Sequence, residues 1–184
     1  MPLIPIDRLH LSQIYLSQKK IDSVLSWFDP ILHNFDPICA RDFLGNGELH
    51  ITDGHTRAFV AWQHGIRHIP YIYDEDEIVT CVLGQLQYEE DILWCNRFRL
   101  RHISGLADRI LSEAAYETLW RGRCGKMYDL KLALFEGRLC PDALNRASEK
   151  LLQQGFFIYG ISEDLGTLYL ENESGELFEE LTNL

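Results

Sequence analysis

The sequence predicts a mixed α/β fold, because strand-like runs alternate with helical patterns along most of the chain. A Gly-Asn-Gly turn between two of these runs predicts a hairpin, and glycine-separated runs near the C-terminal end predict a small meander. The 184 residues, 46% hydrophobic and 24% charged, can bury one sizeable core. We expect three parts: a small mixed sheet with helices at 1–85, a helical extension packed on it at 86–155 and a short acidic β tail at 156–184.

The first elements are a strand and an amphipathic helix. The apolar run "LIPI" predicts the strand. In the following "SQKKIDSVLSWFDP", Ser17 can cap a helix, because its hydroxyl can accept a hydrogen bond from an unpaired backbone N–H of the first turn. Asp29-Pro30 ends this helix, since the residue before a proline avoids helical geometry. The apolar positions at helical spacing are Ile21, Val24, Leu25 and Phe28.

Two strands and a second helix follow. The segment "PICARDFLGNGELHITDG" predicts a hairpin about Gly45-Asn46-Gly47, because Asn-Gly supplies the positive φ angles of a tight turn. Its second strand leads directly to Asp53. The next helix, over 56–64, is nearly all apolar and so must be covered on most sides, and Gly65 can end it. A further strand, "RHIPYIY", comes after this helix.

The rest of the chain is predicted to be helical up to a C-terminal meander. Helical patterns occupy "YEEDILWCNRF", "SGLADRIL" and "SEAAYETLWRGRC", in which Trp94 and Trp120 are expected to lie in the core. The segment "CPDALNRASEKLLQQG" predicts one more helix, with Pro141 in its first turn and Gly155 past its end. The tail "FFIYGISEDLGTLYLENESGELFEEL" alternates strand-like runs with glycine turns.

Charge and hydropathy exclude several classes of function. A formal net charge of −11 repels a phosphate backbone, so general binding of nucleic acid is disfavoured. No run is apolar for long enough to cross a bilayer, and the N-terminal segment lacks the pattern of a secretory signal. We therefore expect a cytoplasmic protein without a membrane partner. The five cysteines include no C-x-x-C pair, which argues against a disulfide framework and a zinc cage.

The charge is unevenly distributed along the chain. Residues 151–184 include seven acidic residues and no lysine or arginine, whereas 97–150 include eleven basic and seven acidic residues. The basic helices can present a patch for a nucleotide, a phosphopeptide or the chain's own acidic tail, and a solvated face is the simpler alternative. A further open alternative is that a protein partner binds to the acidic tail or to the basic helices. The basic side chains concerned are Arg97, Arg99, Arg101, His102, Arg121 and Arg123.

The Asp-Gly-His-Thr-Arg turn at 53–57 carries the strongest chemical signal. Where a strand enters a helix through a glycine, the first backbone N–H groups of the helix are unpaired and attract anions. Gly54 lets the backbone approach a ligand closely. Thr56 adds a hydroxyl donor, and Arg57 adds a planar fork that can bind two phosphate oxygens. The turn therefore predicts a phosphate site.

The acidic residues near this turn predict a place for Mg²⁺. Asp53, at the end of a strand, can hold the ion or accept a proton from a hydroxyl group. Asp74 and Asp76 can add carboxylate ligands at the mouth of the site. Simpler alternatives stay open: Asp53 caps the helix, Arg57 forms a surface salt bridge, and the acids at 74–77 favour a helix start through the helix dipole.

Several segments together resemble the ParB/sulfiredoxin superfamily, namely "IPIDRLHLSQIYLSQKKIDSVLSWF", the hairpin and "TDGHTRAFVAWQHGIRHIPYIYDED". The most specific part is the turn followed by "HGIRHIP". The likeness covers roughly Leu3 to Asp76, is looser to about Met127 and does not include the acidic tail. It implies a ParB/sulfiredoxin-like fold in which a glycine-centred turn binds nucleotide phosphates.

The residues of the turn distinguish between branches of that superfamily. Sulfiredoxins place a reactive cysteine just before a His-Arg pair, and here that position is His55. Partition ParB proteins, which look like DNA clamps that depend on CTP, carry a turn of the Gly-Glu-Arg-Arg type. In this chain only the first glycine and the last arginine of that turn are matched, by Gly54 and Arg57. Free serine kinases are the closer likeness, because they carry an Asp-Gly-His turn of the kind found at 53–55.

Resemblance to these kinases implies transfer of a phosphoryl group from a nucleotide to a small hydroxyl metabolite such as free serine. It assigns Gly54, His55, Thr56 and Arg57 to the phosphates of a nucleoside di- or triphosphate, ATP or ADP, accompanied by Mg²⁺. It also assigns Asp53, with His55, to the site of transfer.

One departure from the kinase pattern concerns the general base. The kinases have a glutamate in the N-terminal segment, whereas "LSQIYLSQ" offers Ser12, Gln13 and Tyr15 but no carboxylate. Either another acid, Asp53 or one of Asp74 and Asp76, replaces the glutamate, or the protein binds a nucleotide without transferring phosphate. The alternative to an enzyme is therefore a nucleotide-dependent regulator or a protein-interaction module, and a DNA-binding protein of the partition type is a further alternative that the net charge disfavours.

Overall fold

A computed structural model describes residues 1–32 and 34–182 of the chain. The mixed α/β class is confirmed, with 44% of the residues in helices and 23% in strands. The residues form two compact units that divide between Glu117 and Thr118. The predicted boundaries at 85/86 and 155/156 fall inside these units, and the last two residues of the predicted tail, 183 and 184, lie outside the described residues.

A five-stranded mixed sheet forms the centre of the first unit. The strands of this unit are β1 (Leu3–Pro5), β2 (Leu9–His10), β3 (Leu16–Ser17), β4 (Ile38–Arg41), β5 (Leu49–Asp53), β6 (His68–Tyr73) and β7 (Ile110–Leu111). The order in the sheet is β1-β6-β4-β5-β2, so β2 forms one edge. The β1–β6 and β4–β5 pairs are antiparallel, and the β4–β6 and β2–β5 pairs are parallel. The antiparallel β4–β5 pair predicted from the sequence is thus confirmed, but a seven-residue loop, 42–48, joins the strands instead of a tight turn, and the positive φ angles are those of Gly45 and Gly47 and not of Asn46.

The helices of the first unit are α1 (Gln18–Leu25), α2 (His55–Gln63), α3 (Glu77–Thr80), α4 (Val82–Arg97) and α5 (Glu113–Tyr116). The Ser17 hydroxyl accepts a hydrogen bond from the Lys20 backbone N–H at 3.3 Å and caps α1, as the sequence predicts. Helix α2 follows β5 directly and packs against α1. In α2, Ala58, Phe59 and Val60 are fully buried, whereas Trp62 is 37% exposed, so one side of this apolar helix reaches the surface.

The prediction of a helix in "SGLADRIL" is wrong. Ile103–Leu106 forms a single 3-10 turn, and Ile110–Leu111 forms β7, which pairs in parallel with β3. Gly105 weakens the helical alternative, and the hydrogen bonds of β7 come from residues more than ninety positions earlier in the chain. Such long-range pairing overrides a local helical pattern.

The second unit is a helical pair with an antiparallel meander. The five-residue π-helical segment Glu117–Arg121 spans the division between the units, and α6 (Gly122–Phe135), α7 (Pro141–Leu152), β8 (Phe156–Ile161), β9 (Thr167–Asn172) and β10 (Leu177–Leu181) follow. Pro141 is the first residue of α7, and the meander has the order β10-β9-β8, so both predictions are confirmed. The core of this unit consists of Leu130, Ala133, Leu139, Leu151, Ile161, Leu168 and Leu170.

A buried ion pair joins α6 to β9. The Arg123 Nη1 atom donates to Glu171 Oε1 at 2.7 Å, and Nη2 donates to the second carboxylate oxygen. The two side chains are 1% and 2% exposed. Arg123 therefore belongs to the interior and not to a solvated basic face, and its partner is a residue of the acidic tail.

Candidate functional site

The turn between β5 and α2 is built around Gly54. This residue precedes the first residue of α2 and has φ +102°, a left-handed conformation that side chains rarely adopt. A Cβ atom at this position would lie 2.7 Å from Ile38 Cγ2 and 2.9 Å from Arg57 Nη2. Both the backbone angle and the close contact with β4 therefore require a glycine here.

Replacing Gly54 by alanine is expected to lower the free energy of unfolding by about 2–4 kcal/mol, from the strained backbone and the clash with Ile38. Urea unfolding measures this change. Gly45→Ala is the matched control, because Gly45 also has a positive φ, +65°, but its Cβ would meet nothing within 4 Å. An equal loss in both variants would show that Gly54 is required only for its backbone angle.

The start of α2 has unpaired backbone donors. The first helical hydrogen bond runs from the Ala58 N–H to the Gly54 carbonyl at 2.9 Å, and no side chain among the described residues caps the helix. In contrast, side chains cap α1, α3 and α5 at Ser17, Asp76 and Ser112. The N–H groups of the first turn of α2 are thus left without a capping acceptor, and the helix dipole places positive potential there.

A cleft of about 310 Å³ lies at this helix start. All five residues of the predicted site, 53–57, line this cleft. The other lining residues come from the segment before α1, from α1 itself and from the end of β5. Its lining consists of Gln13, Lys20, Ser23, Val24, Thr52, Asp53, Gly54, His55, Thr56 and Arg57. Sequence reasoning missed Lys20, which α1 brings to the cleft because α1 packs against α2. The available signal was a lysine in the first turn of an amphipathic helix.

Arg57 is held by Asp53. Its Nη2 atom lies 2.7 Å from Asp53 Oδ2 and also donates to the Pro37 carbonyl at 3.3 Å. The Arg57 side chain is 20% exposed, and its buried Nε atom has no hydrogen-bond partner among the described residues. The salt-bridge alternative for Arg57 is thus the geometry observed, and a phosphate must compete with the Asp53 carboxylate for the guanidinium group. Asp53 does not cap α2.

His55 is buried and neutral. Its Nε2 atom accepts a hydrogen bond from the Ser12 backbone N–H at 3.2 Å, so the ring proton resides on Nδ1. Burial and, to a smaller extent, the positive charge of Lys20 together lower the pKa of His55 to about 3. At neutral pH the ring cannot bind a phosphate as a cation. The Nδ1–H group is the donor that His55 can offer to a ligand in the cleft.

The other predicted acids have structural partners. The Thr52 hydroxyl donates to Asp74 Oδ2, and the Asp76 backbone N–H donates to Asp74 Oδ1 at 3.0 Å. Asp76 Oδ1 accepts from the Ile78 backbone N–H at 2.8 Å and caps α3. For Asp76, the helix-start alternative is therefore the observed geometry. Neither Asp74 nor Asp76 lines the cleft at α2.

The predicted Mg²⁺ ligands do not come together. Among the described residues, the single group of three or more metal-ligating side chains with all ligand atoms within 4.8 Å of one another consists of His10, Glu48 and His50. Asp53, Asp74 and Asp76 form no such group. The three carboxylates are therefore not gathered around one point, and their assignment to Mg²⁺ stays a prediction.

The structure also places Cys39 beside the turn, which its position in the sequence did not indicate. Cys39 on β4 is the register partner of Asp53 on β5. Burial raises the pKa of the Cys39 thiol, and the negative charges of Asp74 and Asp53 raise it further. Cys39 is therefore a thiol and not a reactive thiolate at neutral pH.

Comparisons of this chain with protein-family models, with curated proteins and with solved structures find no match. The likeness to the ParB/sulfiredoxin superfamily therefore rests on the quoted residues. Within the described part of the chain, no helix combines the length and the apolar character needed to cross a bilayer.

Proposed function

We propose that the protein binds a nucleoside di- or triphosphate, ATP or ADP, through its phosphates at the start of α2. The uncapped first turn of this helix, which opens into a cleft lined by Lys20 and Arg57, carries the proposal. Backbone donors, a helix dipole and two cationic side chains there all favour the same ligand, an anion with several oxygens. The likeness of the Asp-Gly-His-Thr-Arg sequence to nucleotide-binding turns also supports it.

The backbone at the start of α2 and three side chains of the cleft take part in this binding. The N–H groups of the first turn of α2 and the Thr56 hydroxyl donate to phosphate oxygens. Lys20 supplies a mobile point charge from α1. Arg57 binds a phosphate when its guanidinium leaves Asp53, which releases the Asp53 carboxylate into the cleft.

The proposal extends to transfer of the phosphoryl group to a small hydroxyl metabolite such as free serine. Asp53 is then the carboxylate that accepts the proton of the attacking hydroxyl, and the cationic groups stabilise the charge on the transferred group. Because the three acidic side chains are not gathered, Mg²⁺ enters this proposal with the nucleotide, held by phosphate oxygens. A phosphorylated product that is absent with Asp53→Asn would support the enzymatic form of the proposal.

A regulator that binds a nucleotide without transferring phosphate is the second candidate, and Gln13 favours it. Gln13 lines the cleft, and its Nε2 atom donates to the Tyr15 carbonyl and, at 3.2 Å, to the Tyr116 hydroxyl. An amide cannot take a proton from a substrate hydroxyl as the expected glutamate would. Nucleotide binding without any phosphorylated product would favour this candidate.

Thermal melts test the binding proposal directly. ATP, ADP, CTP and GTP are compared, each with and without Mg²⁺. A nucleotide at about one hundred times its dissociation constant should add about 2.7 kcal/mol of stability, and so raise the melting temperature by several degrees. Lys20→Gln is expected to lose most of this shift, because it removes a cation from the cleft.

Lys19→Gln is the matched control for this melt. Lys19 adjoins Lys20, has the same charge, and forms an exposed ion pair with Glu113 at 3.5 Å outside the cleft. Equal losses in the two variants would point to general electrostatic attraction and not to a site. The absence of a shift with every nucleotide would overturn the proposal.

A further inference from the structure

A second cluster of polar side chains lies on the edge of the sheet, outside the cleft at α2. Strands β2 and β5 run in parallel, and His10 is the register partner of His50. Glu48 precedes His50 by two residues, and side chains two positions apart in an extended chain lie on the same face. Nitrogen atoms of the two rings and a carboxylate oxygen of Glu48 all lie within 4.8 Å of one another.

His50 has a buried polar atom without a partner. Its side chain is 3% exposed, and its Nδ1 atom has no hydrogen bond to any residue that the structure describes. Buried polar atoms are nearly always paired, so this ring nitrogen is available to a ligand that the protein itself does not supply.

The surroundings leave room for an ion and orient its ligands. A cavity of about 190 Å³ is lined by all three side chains, with Leu11, Ile92 and Leu100 among the other wall residues. The Glu48 carboxylate accepts a hydrogen bond from Asn46 Nδ2 at 3.1 Å. Contacts of this kind fix the direction of a metal ligand.

We propose that His10, Glu48 and His50 form a binding site for a divalent transition-metal ion of the zinc type. Two imidazoles and one carboxylate match the ligands that zinc prefers, whereas Mg²⁺ and Ca²⁺ prefer oxygen ligands alone. Zinc–ligand bonds of about 2.0–2.2 Å place tetrahedral ligand atoms about 3.4 Å apart, which is inside the 4.8 Å limit within which the three ligand atoms lie.

Two consequences follow from this site. Three protein ligands leave the fourth position of a tetrahedral ion to water or to a substrate, which is the arrangement of catalytic zinc sites. The ion also joins edge strand β2 to β5, so it stabilises the folded first unit against unfolding. The sequence signal for the site was Glu-x-His where the second strand of the hairpin begins, but the third ligand, His10, is 38 residues earlier in the chain than Glu48.

Calorimetric titration of the chelator-treated protein with Zn²⁺ tests the proposal, and visible absorption of the Co²⁺ form reports the ligand geometry. Wild type should bind one ion, and Zn²⁺ should raise its melting temperature. His10→Gln and Glu48→Gln are each expected to weaken binding by more than about a hundredfold and to abolish the stabilisation. Both residues are less buried than His50, so melts without metal can verify that the variants fold.

His68→Gln is the matched control, because His68 is an exposed histidine on β6 outside the cluster. It should bind Zn²⁺ like wild type. The proposal is overturned if wild type shows neither heat of binding nor Co²⁺ absorption, if His68→Gln loses as much affinity as His10→Gln, or if folded His10→Gln and Glu48→Gln bind as tightly as wild type. If the wild type binds Fe²⁺ more tightly than Zn²⁺ and His10→Gln and Glu48→Gln lose this binding, the result supports a metal site with the same three ligands.

Discussion

Replacing Arg123 by methionine is expected to lower the free energy of unfolding by about 3–5 kcal/mol. Methionine replaces arginine by an apolar side chain of similar length. The Glu171 carboxylate, whose side chain is 2% exposed, then lacks its cationic partner. It also removes the guanidinium group that lies 5.2 Å from the centre of the Tyr159 ring. Urea unfolding followed by circular dichroism measures the change.

Two further variants separate charge pairing from the general loss of an arginine. Arg146→Met is the matched control, because Arg146 is exposed on α7, and it should change stability by no more than about 0.5 kcal/mol. The double variant Arg123→Met/Glu171→Leu should recover much of the loss, since no buried charge remains unpaired. Equal destabilisation by Arg123→Met and Arg146→Met would refute the importance of the buried pair.

Lowering the pH is expected to destabilise the protein through His55. Its pKa is about 3 in the folded state and about 6.5 in an unfolded chain, so the unfolded state binds the proton first. This contribution to stability is fully present above pH 6.5 and is lost as the pH falls towards 3. The loss is about 1.4 kcal/mol for each pH unit in this window, or about 3 kcal/mol at pH 4.

Urea unfolding at a series of pH values measures this slope. His55→Gln should remove the contribution, because glutamine does not titrate, so its stability should fall less steeply between pH 6.5 and 4. His68→Gln, which removes an exposed histidine, should retain the slope of wild type. Carboxylates titrate equally in all three proteins, so the difference between variants isolates His55. Parallel curves for wild type and His55→Gln would contradict the prediction.

The two proposed sites can be tested independently, because no residue lines both cavities. Glu48→Gln should retain the stabilisation by a nucleotide, and Lys20→Gln should retain the affinity for Zn²⁺. Failure of one proposal therefore leaves the other standing. If each variant removes both responses, a general loss of the first unit's structure explains the result.

Elements that depend on neighbouring residues could be predicted from the sequence. The cap at Ser17, the hairpin before Asp53, Pro141 at the start of α7 and the C-terminal meander all follow from local patterns and turn chemistry. The strand at Ile110–Leu111 could not be predicted in this way, because its hydrogen bonds run to β3 at Leu16–Ser17. The local pattern there is helical, and the distant pairing prevails.

The candidate sites also combine features that the local sequence predicts with features that depend on distant parts of the chain. The sequence alone determined that 53–57 forms a strand-to-helix turn with a glycine at its centre, because five consecutive residues define that turn. Only the tertiary structure decided that Lys20 joins this turn, that His55 is buried and neutral, and that His10 meets Glu48 and His50. These outcomes depend on strand register and helix packing between segments far apart in the chain, and no local pattern encodes such distances.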